Sequence, residues 1–393
     1  MGSIQQQMRK SALILLAALT ACTAKAPLSL EVVRSEMARN PEASYIDGQE
    51  GRLKWNYTTG LELKAMLDAA PEETLDYVDA WYDAIIDSTG NIFKYRKENF
   101  SLDHICPGRT LFQLYDITGK EKYRAAMDTL YAQLWEQPRT PEGGFWHKKV
   151  YPDQMWLDGL YMAEPFYAEY TVRYVTDSLE RAENFADIAY QFGLVFDATF
   201  DTETGLLRHA WDSSREMFWS DEVTGQSAHA WGRAMGWYAM ALVDVIEIMP
   251  SGEEHDELVR ILNRVFDPLP LYADAQTGMW YQVLDRPYEE GNYLEATCSA
   301  MFTYALLKGT RLGVLEGFTQ EDAVTRYNEL LDTFVRRNSD GLIDLESCCE
   351  VAGLGGKQNR AGDYDYYISE PVRSNDPKGI GPLIWAALEF ERI

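Results

Sequence analysis

The sequence predicts an all-α fold, a single-domain (α/α)6 barrel of six helical hairpins, and three observations carry that expectation. Twelve segments show helical periodicity, roughly 28–40, 58–70, 72–87, 107–117, 120–136, 158–175, 179–198, 229–249, 254–272, 292–312, 319–337 and 377–391. A degenerate repeat runs through them: a Gly turn and a short apolar or aromatic stretch occur five times, the glycines (90, 144, 205, 278, 341) lying 54, 61, 73 and 63 residues apart. A period of that length marks an array of supersecondary units. No low-complexity linker divides residues 28–393. The long aromatic-rich excursions between hairpins are unlike the compact turns of an open α-solenoid, the alternative arrangement, and favour a closed ring.

At the start of the chain, Arg9 and Lys10 precede an apolar run from Ala12 to Leu19. That run is too short to span a bilayer, which needs about 20 residues, and residues 1–21 read as a secretory signal peptide. It ends Leu19-Thr-Ala-Cys22, which is similar to a bacterial lipobox, with Cys22 as the lipidated residue. The alternative is an ordinary signal cleaved near Ala24 or Ala26. The expectation is therefore a barrel over 22–393, lipid-anchored in a bacterial cell envelope and facing the periplasm or the exterior. Further along, Glu73–Asp87 carries one apolar face (Leu75, Val78, Trp81, Tyr82, Ile85) and runs into Asp87-Ser-Thr-Gly. Tyr123–Trp135 runs likewise into Pro141-Glu-Gly-Gly, and Val324–Val335 into Asn338-Ser-Asp-Gly; Asp201-Thr-Glu-Thr-Gly and Ala275-Gln-Thr-Gly are the other turns. In a toroid alternate helices run the same way, so the starts of the inner helices meet at one end. Those starts lie near Tyr57, Asp103, Asp158, His229–Arg233, Asn292 and Asp376. Asp103 shortly before Pro107 and Asp376 next to Pro377 are both consistent with helix starts. Polar residues gathered at one mouth make the default site.

Composition narrows the chemistry. With 46% hydrophobic residues and 25% charged, the chain is neither disordered nor collagenous. Acidic residues exceed basic ones, 62 against 36, for a net charge of −26. Such a surface repels nucleic acid and anionic membranes, and an anion would be held only where the few cations converge. Cys106, Cys298, Cys348 and Cys349 show neither CxxC nor zinc spacing and read as free, mostly buried thiols. HExxH, EF-hand spacing, GxGxxG, a Walker A sequence and GxSxG are all missing, so no metal and no cofactor is expected. Carboxylate acid–base chemistry remains.

Four of the five histidines (104, 147, 209, 229) and seven of eleven tryptophans (55, 146, 156, 211, 231, 237, 280) fall in or beside the predicted loops. Aromatic faces among polar side chains suit a sugar-binding cleft; the alternative is aromatic loops packing on one another. Asp158 sits between Leu157 and Gly159, near Trp156, where apolar surroundings would raise its pKa. Its alternative role is a helix N-cap. Arg233 and Trp237, at i and i+4, would share a helix face and clamp a sugar carboxylate; the alternative is a structural Arg–Asp pair.

The run Trp146-His-Lys-Lys-Val-Tyr-Pro-Asp-Gln-Met-Trp-Leu-Asp158-Gly-Leu-Tyr-Met, with His209-Ala-Trp-Asp and Trp231-Gly-Arg-Ala-Met-Gly-Trp-Tyr, resembles glycoside hydrolase family 105, the unsaturated rhamnogalacturonyl hydrolases. Trp55-Asn-Tyr, Leu102-Asp-His-Ile-Cys-Pro-Gly, Gly278-Met-Trp-Tyr, Glu350-Val-Ala-Gly-Leu-Gly-Gly and Asn375-Asp-Pro-Lys-Gly extend the resemblance over about residues 50–385. It implies an (α/α)6 barrel and hydration of a vinyl ether, in which one aspartic acid protonates C4 of a 4,5-unsaturated uronate. By motif position Asp158 matches the proton donor and Asp103 a second active-site aspartate. The sugar-contacting positions correspond to Asn56, Tyr57, His147, Lys148 and on to Tyr151, Trp156, His209, Trp231, Arg233 and Trp237, with the loop at Gly353 and Leu354 covering the sugar. Lys148, Arg233 and a histidine would bind the uronate. His104 stands where the family pattern has an aspartate, which leaves linkage preference open. The resemblance thus implies removal of the unsaturated uronate from lyase-generated rhamnogalacturonan oligosaccharides, with no obligate protein partner. Three alternatives stand beside it: an unsaturated glucuronyl hydrolase acting on glycosaminoglycan fragments, an inverting glycosidase using Asp158 and Asp103, and a non-catalytic glycan-binding lipoprotein.

Overall fold

The structure, a computed structural model, describes residues 26–393; the expected signal segment and Cys22 lie outside them. All twelve expected helices are present: α1 (Leu28–Arg39), α2 (Tyr57–Ala69), α3 (Pro71–Ile85), α4 (Arg109–Thr118), α5 (Glu121–Glu136), α6 (Leu157–Tyr174), α7 (Ser178–Thr199), α8 (Gly232–Ile248), α9 (Glu253–Phe266), α10 (Ala296–Leu312) and α11 (Gln320–Phe334), with α13 (Pro377–Glu391) last. A short helix, α12 (Tyr364–Ser369), was not anticipated. Six residues are too few to show a 3.6-residue period. Where ends differ from expectation, local chemistry explains them. The α9 helix stops at Phe266 because Pro268 has no N–H to continue the ladder. The α11 helix gives way at Val335 to a strand paired with Ile343–Leu345. The α10 helix begins four residues later than Asn292, with Glu295 as its N-cap accepting from the Cys298 N–H at 2.6 Å.

Helices α2, α4, α6, α8, α10 and α13 form the inner ring and the others the outer one. Neighbouring inner helices pack α6 on α8, α8 on α10, α10 on α13 and α13 back on α2, which closes the ring; α13 also packs on α1. The closure is pinned by Ser29, whose hydroxyl donates to Glu391 at 2.6 Å. Burial follows the two roles. Every residue of α8 from Gly232 to Ile246 is buried, whereas α9 buries one stripe, Leu258, Ile261, Leu262, Val265 and Phe266.

The repeated glycine turns are tight β-hairpins that close the outer helices, bridging Ile86 to Ile92, Arg139 to Phe145, Phe200 to Leu207, Ala273 to Trp280 and Val335 to Leu345. In four of them an Asp or Asn side chain accepts backbone N–H bonds two to four residues on: Asp87, Asp201, Asp274 and Asn338. Their glycines have φ between +68° and +88°, which explains the residue type. In the second hairpin the left-handed residue is Gly143 (φ +99°) rather than Gly144, which is instead wedged against Met155 and Leu194. A sixth turn of the same kind, Asp221 to Gly225, lies in the excursion before α8. Because outer helices run opposite to inner ones, these hairpins lie at the end where the inner helices begin.

Candidate active site

Three chain excursions meet at that end. Strand β1 (Gln154–Trp156) pairs antiparallel with β2 (Ala210–Asp212), Trp156 opposite Ala210, and β1 runs straight into α6. The Leu157 N–H donates to the His209 carbonyl at 3.1 Å, and the His209 N–H to the His229 carbonyl at 3.1 Å. This pairing carries His209 to Asp158, Nε2 to Oδ2 3.2 Å, without the alignment of a hydrogen bond. On its other face the His209 Nδ1 meets the Tyr367 hydroxyl at 2.7 Å. Asp158 lies in the first turn of α6, behind Trp156 at the N-cap position, and no side chain caps this helix. The capping role is thereby set aside.

The expected upward shift of Asp158 is not what the surroundings produce. Burial alone pushes its carboxyl up, but the charge and contact of His209, with His147 beyond, outweigh burial and hold it below the usual range. Asp103 follows the same balance. Its burial is overcome by Lys148, which bonds it directly, and by His147, whose Nε2 lies 3.4 Å from Oδ1. Burial keeps His147 neutral, pushed down to about 4 despite Asp103. The Leu102 N–H donates to the His147 carbonyl at 3.1 Å and so ties the Asp103 turn to the 143–158 excursion.

The aromatic residues form a packed wall more than an open platform. His147, Trp156 and Tyr151 lie nearly parallel, with centroids 4.6 Å apart for His147–Trp156 and 5.0 Å for Tyr151–Trp156. Trp231 packs on His209 and Tyr367, and Trp237 on Tyr57 and Tyr161. All three tryptophans are buried, so the alternative of aromatic loops packing on one another holds for them; Tyr57 and Tyr151 retain exposed edges. The ring beneath the Arg233 guanidinium is Trp231, at 5.3 Å, and not Trp237. Arg233 is fully buried. Its Nη2 donates to Glu295 at 3.2 Å and to the Cys349 carbonyl, while Nε and Nη1 have no partner. The structural pair therefore exists, with a glutamate, and leaves two nitrogens of the fork, with three N–H groups, to spare.

Asn56 precedes α2 and donates to the Thr58 hydroxyl at 2.7 Å, its Oδ1 unpartnered. Unpartnered buried polar atoms gather here: Asn56 Oδ1, His104 Nδ1, Asp158 Oδ2, His209 Nε2 and the two Arg233 nitrogens. Native proteins leave few such atoms, and a cluster points to a ligand. A cavity of about 620 Å³ opens onto Asn56, Tyr57, Asp103, His104 and Lys148, with Lys54, Arg373 and Lys378 on its wall. Asp158 and His209 lie behind Asp103 and His147 and do not line it. The loop at Gly353 and Leu354 lies over the rings: Leu354 is buried against Trp156 and Trp219, and Gly353 N–H donates to the Tyr366 hydroxyl at 3.0 Å. From the same loop Arg360 donates to the Tyr151 hydroxyl at 3.1 Å, its guanidinium 5.9 Å from the Trp156 ring.

Tyr367, Glu295 and Arg360 escaped the sequence reading. Glu295 alone had a local signal, an acid just before an inner helix. Cys106, Cys298, Cys348 and Cys349 are free and buried. Among the described residues no group of three His, Cys, Asp or Glu side chains is arranged to hold a metal ion, and no helix is long and apolar enough to cross a membrane.

Comparison with known proteins agrees with this architecture. The sequence profile of Glycosyl Hydrolase Family 88 matches residues 28–393. A family 105 glycoside hydrolase of C. acetobutylicum ATCC 824 superposes with a TM-score of 0.88 at 42% identity, covering 94% of this chain and 100% of that one. Protein Atu3128 of Agrobacterium fabrum is 38% identical over 234 residues, 58% of this chain and 97% of its own length. The Bacillus subtilis unsaturated rhamnogalacturonyl hydrolase YesR is 25% identical over 309 residues, 73% of this chain and 82% of its own length.

Proposed function

The chain belongs to glycosyl hydrolase family 88, together with the family 105 enzymes, and is a glycoside hydrolase; from that premise we propose that it removes the terminal 4,5-unsaturated uronate from lyase-generated rhamnogalacturonan oligosaccharides. The observation that carries the reading is a largely enclosed aspartate, Asp158, at the start of α6, with an unpartnered oxygen 3.2 Å from His209 Nε2, at the end of the barrel where Arg233 keeps Nε and Nη1 unpartnered. The likeness to YesR supports the pectin-derived substrate.

In this mechanism the protonated Asp158 gives its proton to C4 of the double bond, leaving an oxocarbenium-like centre at C5. Water adds at C5, and its proton returns to the Asp158 carboxylate. The C5 hemiketal opens to a ketone, and the hemiacetal left at C1 collapses to an aldehyde, releasing the remaining sugar chain as an alcohol. In the free chain Asp158 favours the carboxylate form. Arrival of the anionic uronate and exclusion of water both favour the neutral acid, so the substrate helps to load the proton. Arg233 binds the uronate carboxylate, and Lys148 holds Asp103 as a fixed anion at the cavity wall.

The test follows loss of the ultraviolet absorbance of the unsaturated uronate. Lyase-digested rhamnogalacturonan loses its absorbance with wild type and keeps it with Asp158→Asn, whose kcat falls by at least about 10²–10⁴-fold. Loss only on a chondroitin digest would keep the chemistry and move the substrate to the glycosaminoglycan class. Turnover of saturated substrates would make it an inverting glycosidase, and binding without turnover a glycan-binding lipoprotein. We further propose lipidation at Cys22, checked by the mass of the mature N-terminal peptide from bacterial membranes.

A further inference from the structure

The active-site cavity does not end at His104. Lys54, Trp55 and His104 form a wall shared with a second cavity of about 610 Å³. Each is the size of an ordinary ligand pocket, about 300–1,000 Å³. No Asp or Glu lines the second cavity, in a chain with 62 acidic residues against 36 basic ones. Instead it is lined by Arg52, Lys54 and Lys94 beside two aromatic rings, Phe93 and Tyr95.

These cations are available. Among the described residues no ion pair involves Lys54 or Lys94. Arg52 donates through Nε to the Gln49 carbonyl at 3.0 Å and has one ion pair among the described residues, Glu50 at 3.8 Å, with both side chains largely exposed; such a pair is worth little. Phe93 is 47% exposed just past the first hairpin, where its N–H donates to the Ile85 carbonyl, with the Lys94 ammonium 4.9 Å from its ring centre. Tyr95 is held by its hydroxyl donating to Gln133 at 2.8 Å, which fixes the plane of its ring. An exposed ring, a fixed ring and unpaired ammonium groups are the elements that hold an acidic sugar: the rings take the C–H face and the ammonium groups take the carboxylate.

We propose that this second cavity is a subsite for a carboxylate-bearing sugar further along the same oligosaccharide, and that the enzyme favours chains longer than a disaccharide. The inference rests on the unsaturated-uronate reading above, because it assigns the cavity to the leaving end of that substrate.

The experiment compares kcat/KM for the unsaturated disaccharide and tetrasaccharide of one rhamnogalacturonan digest, using wild type and a Phe93→Ala/Lys94→Ala variant. Both positions are exposed and outside the catalytic mouth, so the variant folds and keeps disaccharide turnover within about twofold. Wild type should prefer the tetrasaccharide by tenfold or more, and the variant should lose most of that preference. Equal kcat/KM for the two lengths in wild type, or a preference that survives the double substitution, overturns the proposal while leaving the reaction intact. If only chondroitin fragments turn over, the same length comparison on those fragments decides it. No turnover of any unsaturated oligosaccharide overturns the underlying reading and this inference with it.

Discussion

Replacing His209 with asparagine should move the alkaline limb of the pH–rate profile upward by about 1–3 units. In the free chain the charge of His209, 3.2 Å from Asp158, is the main influence opposing burial. Two unit charges at that separation interact by about 5 kcal/mol at an effective dielectric of about 20. At about 1.4 kcal/mol per pKa unit that sets a ceiling near 4 units, and measured carboxylate–cation pairs give about 1–3. Asparagine can still meet the Tyr367 hydroxyl that now bonds Nδ1, while the cation facing Asp158 disappears. Burial then acts unopposed by its principal counterweight, and the carboxyl rises. Only the protonated acid begins the reaction, so kcat/KM falls as pH climbs through the Asp158 pKa of the free enzyme. The assay is absorbance loss under first-order conditions from pH 2.5 to 8, a range that reaches below the ordinary carboxylate value and so takes in the wild-type limb. The plateau will drop, because His209 stands 3.2 Å from the reacting carboxyl; the position of the limb is the readout. Tyr367→Phe, which leaves the charge in place, should shift it far less. An alkaline limb that stays put or moves down in His209→Asn would refute the assignment of Asp158 as the titrating acid under His209 control.

Further outcomes follow from the buried groups. Arg233→Met strands Glu295 in the interior and should cost about 3–5 kcal/mol in denaturant unfolding, whereas Arg233→Met/Glu295→Gln should recover part of the stability and none of the substrate affinity. Glu164 is buried with an unpartnered Oε2, and burial pushes its carboxyl well above the ordinary glutamate value of 4.5. It stays neutral in the fold while the unfolded chain ionises, so stability declines as pH rises above about 4.5, by up to about 1.4 kcal/mol per pH unit. Glu164→Gln should remove that slope, as read from urea melts at pH 5 and pH 8. A Cβ on Gly353 would sit 2.3 Å from Arg360 Nη1, so Gly353→Ala should push the guanidinium off Tyr151 and Trp156. Its expected signature is a several-fold higher KM with unchanged melting temperature.

The helices were legible because each carries its own signal: an apolar stripe in the outer ring, near-continuous hydrophobicity in the inner ring, and an Asp or Asn with Gly at the hairpins. Asp158, His209 and Arg233 could be singled out locally. Their grouping could not, because it is made by contacts between distant segments. The β1–β2 ladder has three residues per strand, too few for a pattern, yet it carries His209 to Asp158 across 51 positions. Tyr367 reaches His209 across 158 positions from a six-residue helix. The Asp158 shift was misjudged for the same reason: its sequence neighbours are apolar, and the group that overrides them comes from elsewhere. The loop tryptophans suit a sugar-binding cleft by sequence, with loops packing on one another as the alternative; the excursions are long enough to build a core of their own, and Trp156, Trp231 and Trp237 lie inside it.

A chain this acidic does not meet its anionic substrate with a bare positive patch. Nearly every cation at the catalytic mouth is already matched: Lys148 to Asp103, Lys378 to Asp376, Arg373 to Asp47 and Asp376, Arg233 in part to Glu295. Attraction there comes from donors left over after pairing, the unpartnered Nε and Nη1 of Arg233 and the inward-facing N-termini of the inner helices. Buried, partly neutralised donors feel salt weakly, whereas Lys54 and Lys94 stand unpaired in the outer cavity and feel it fully. Raising ionic strength from 0.01 M to 0.15 M contracts the screening length from about 30 Å to about 8 Å. KM for the disaccharide should therefore hardly change across that range, while the tetrasaccharide advantage shrinks. If both constants instead rise together with salt, the uronate is captured by long-range field, and the division between a neutralised catalytic mouth and a charged outer subsite is wrong.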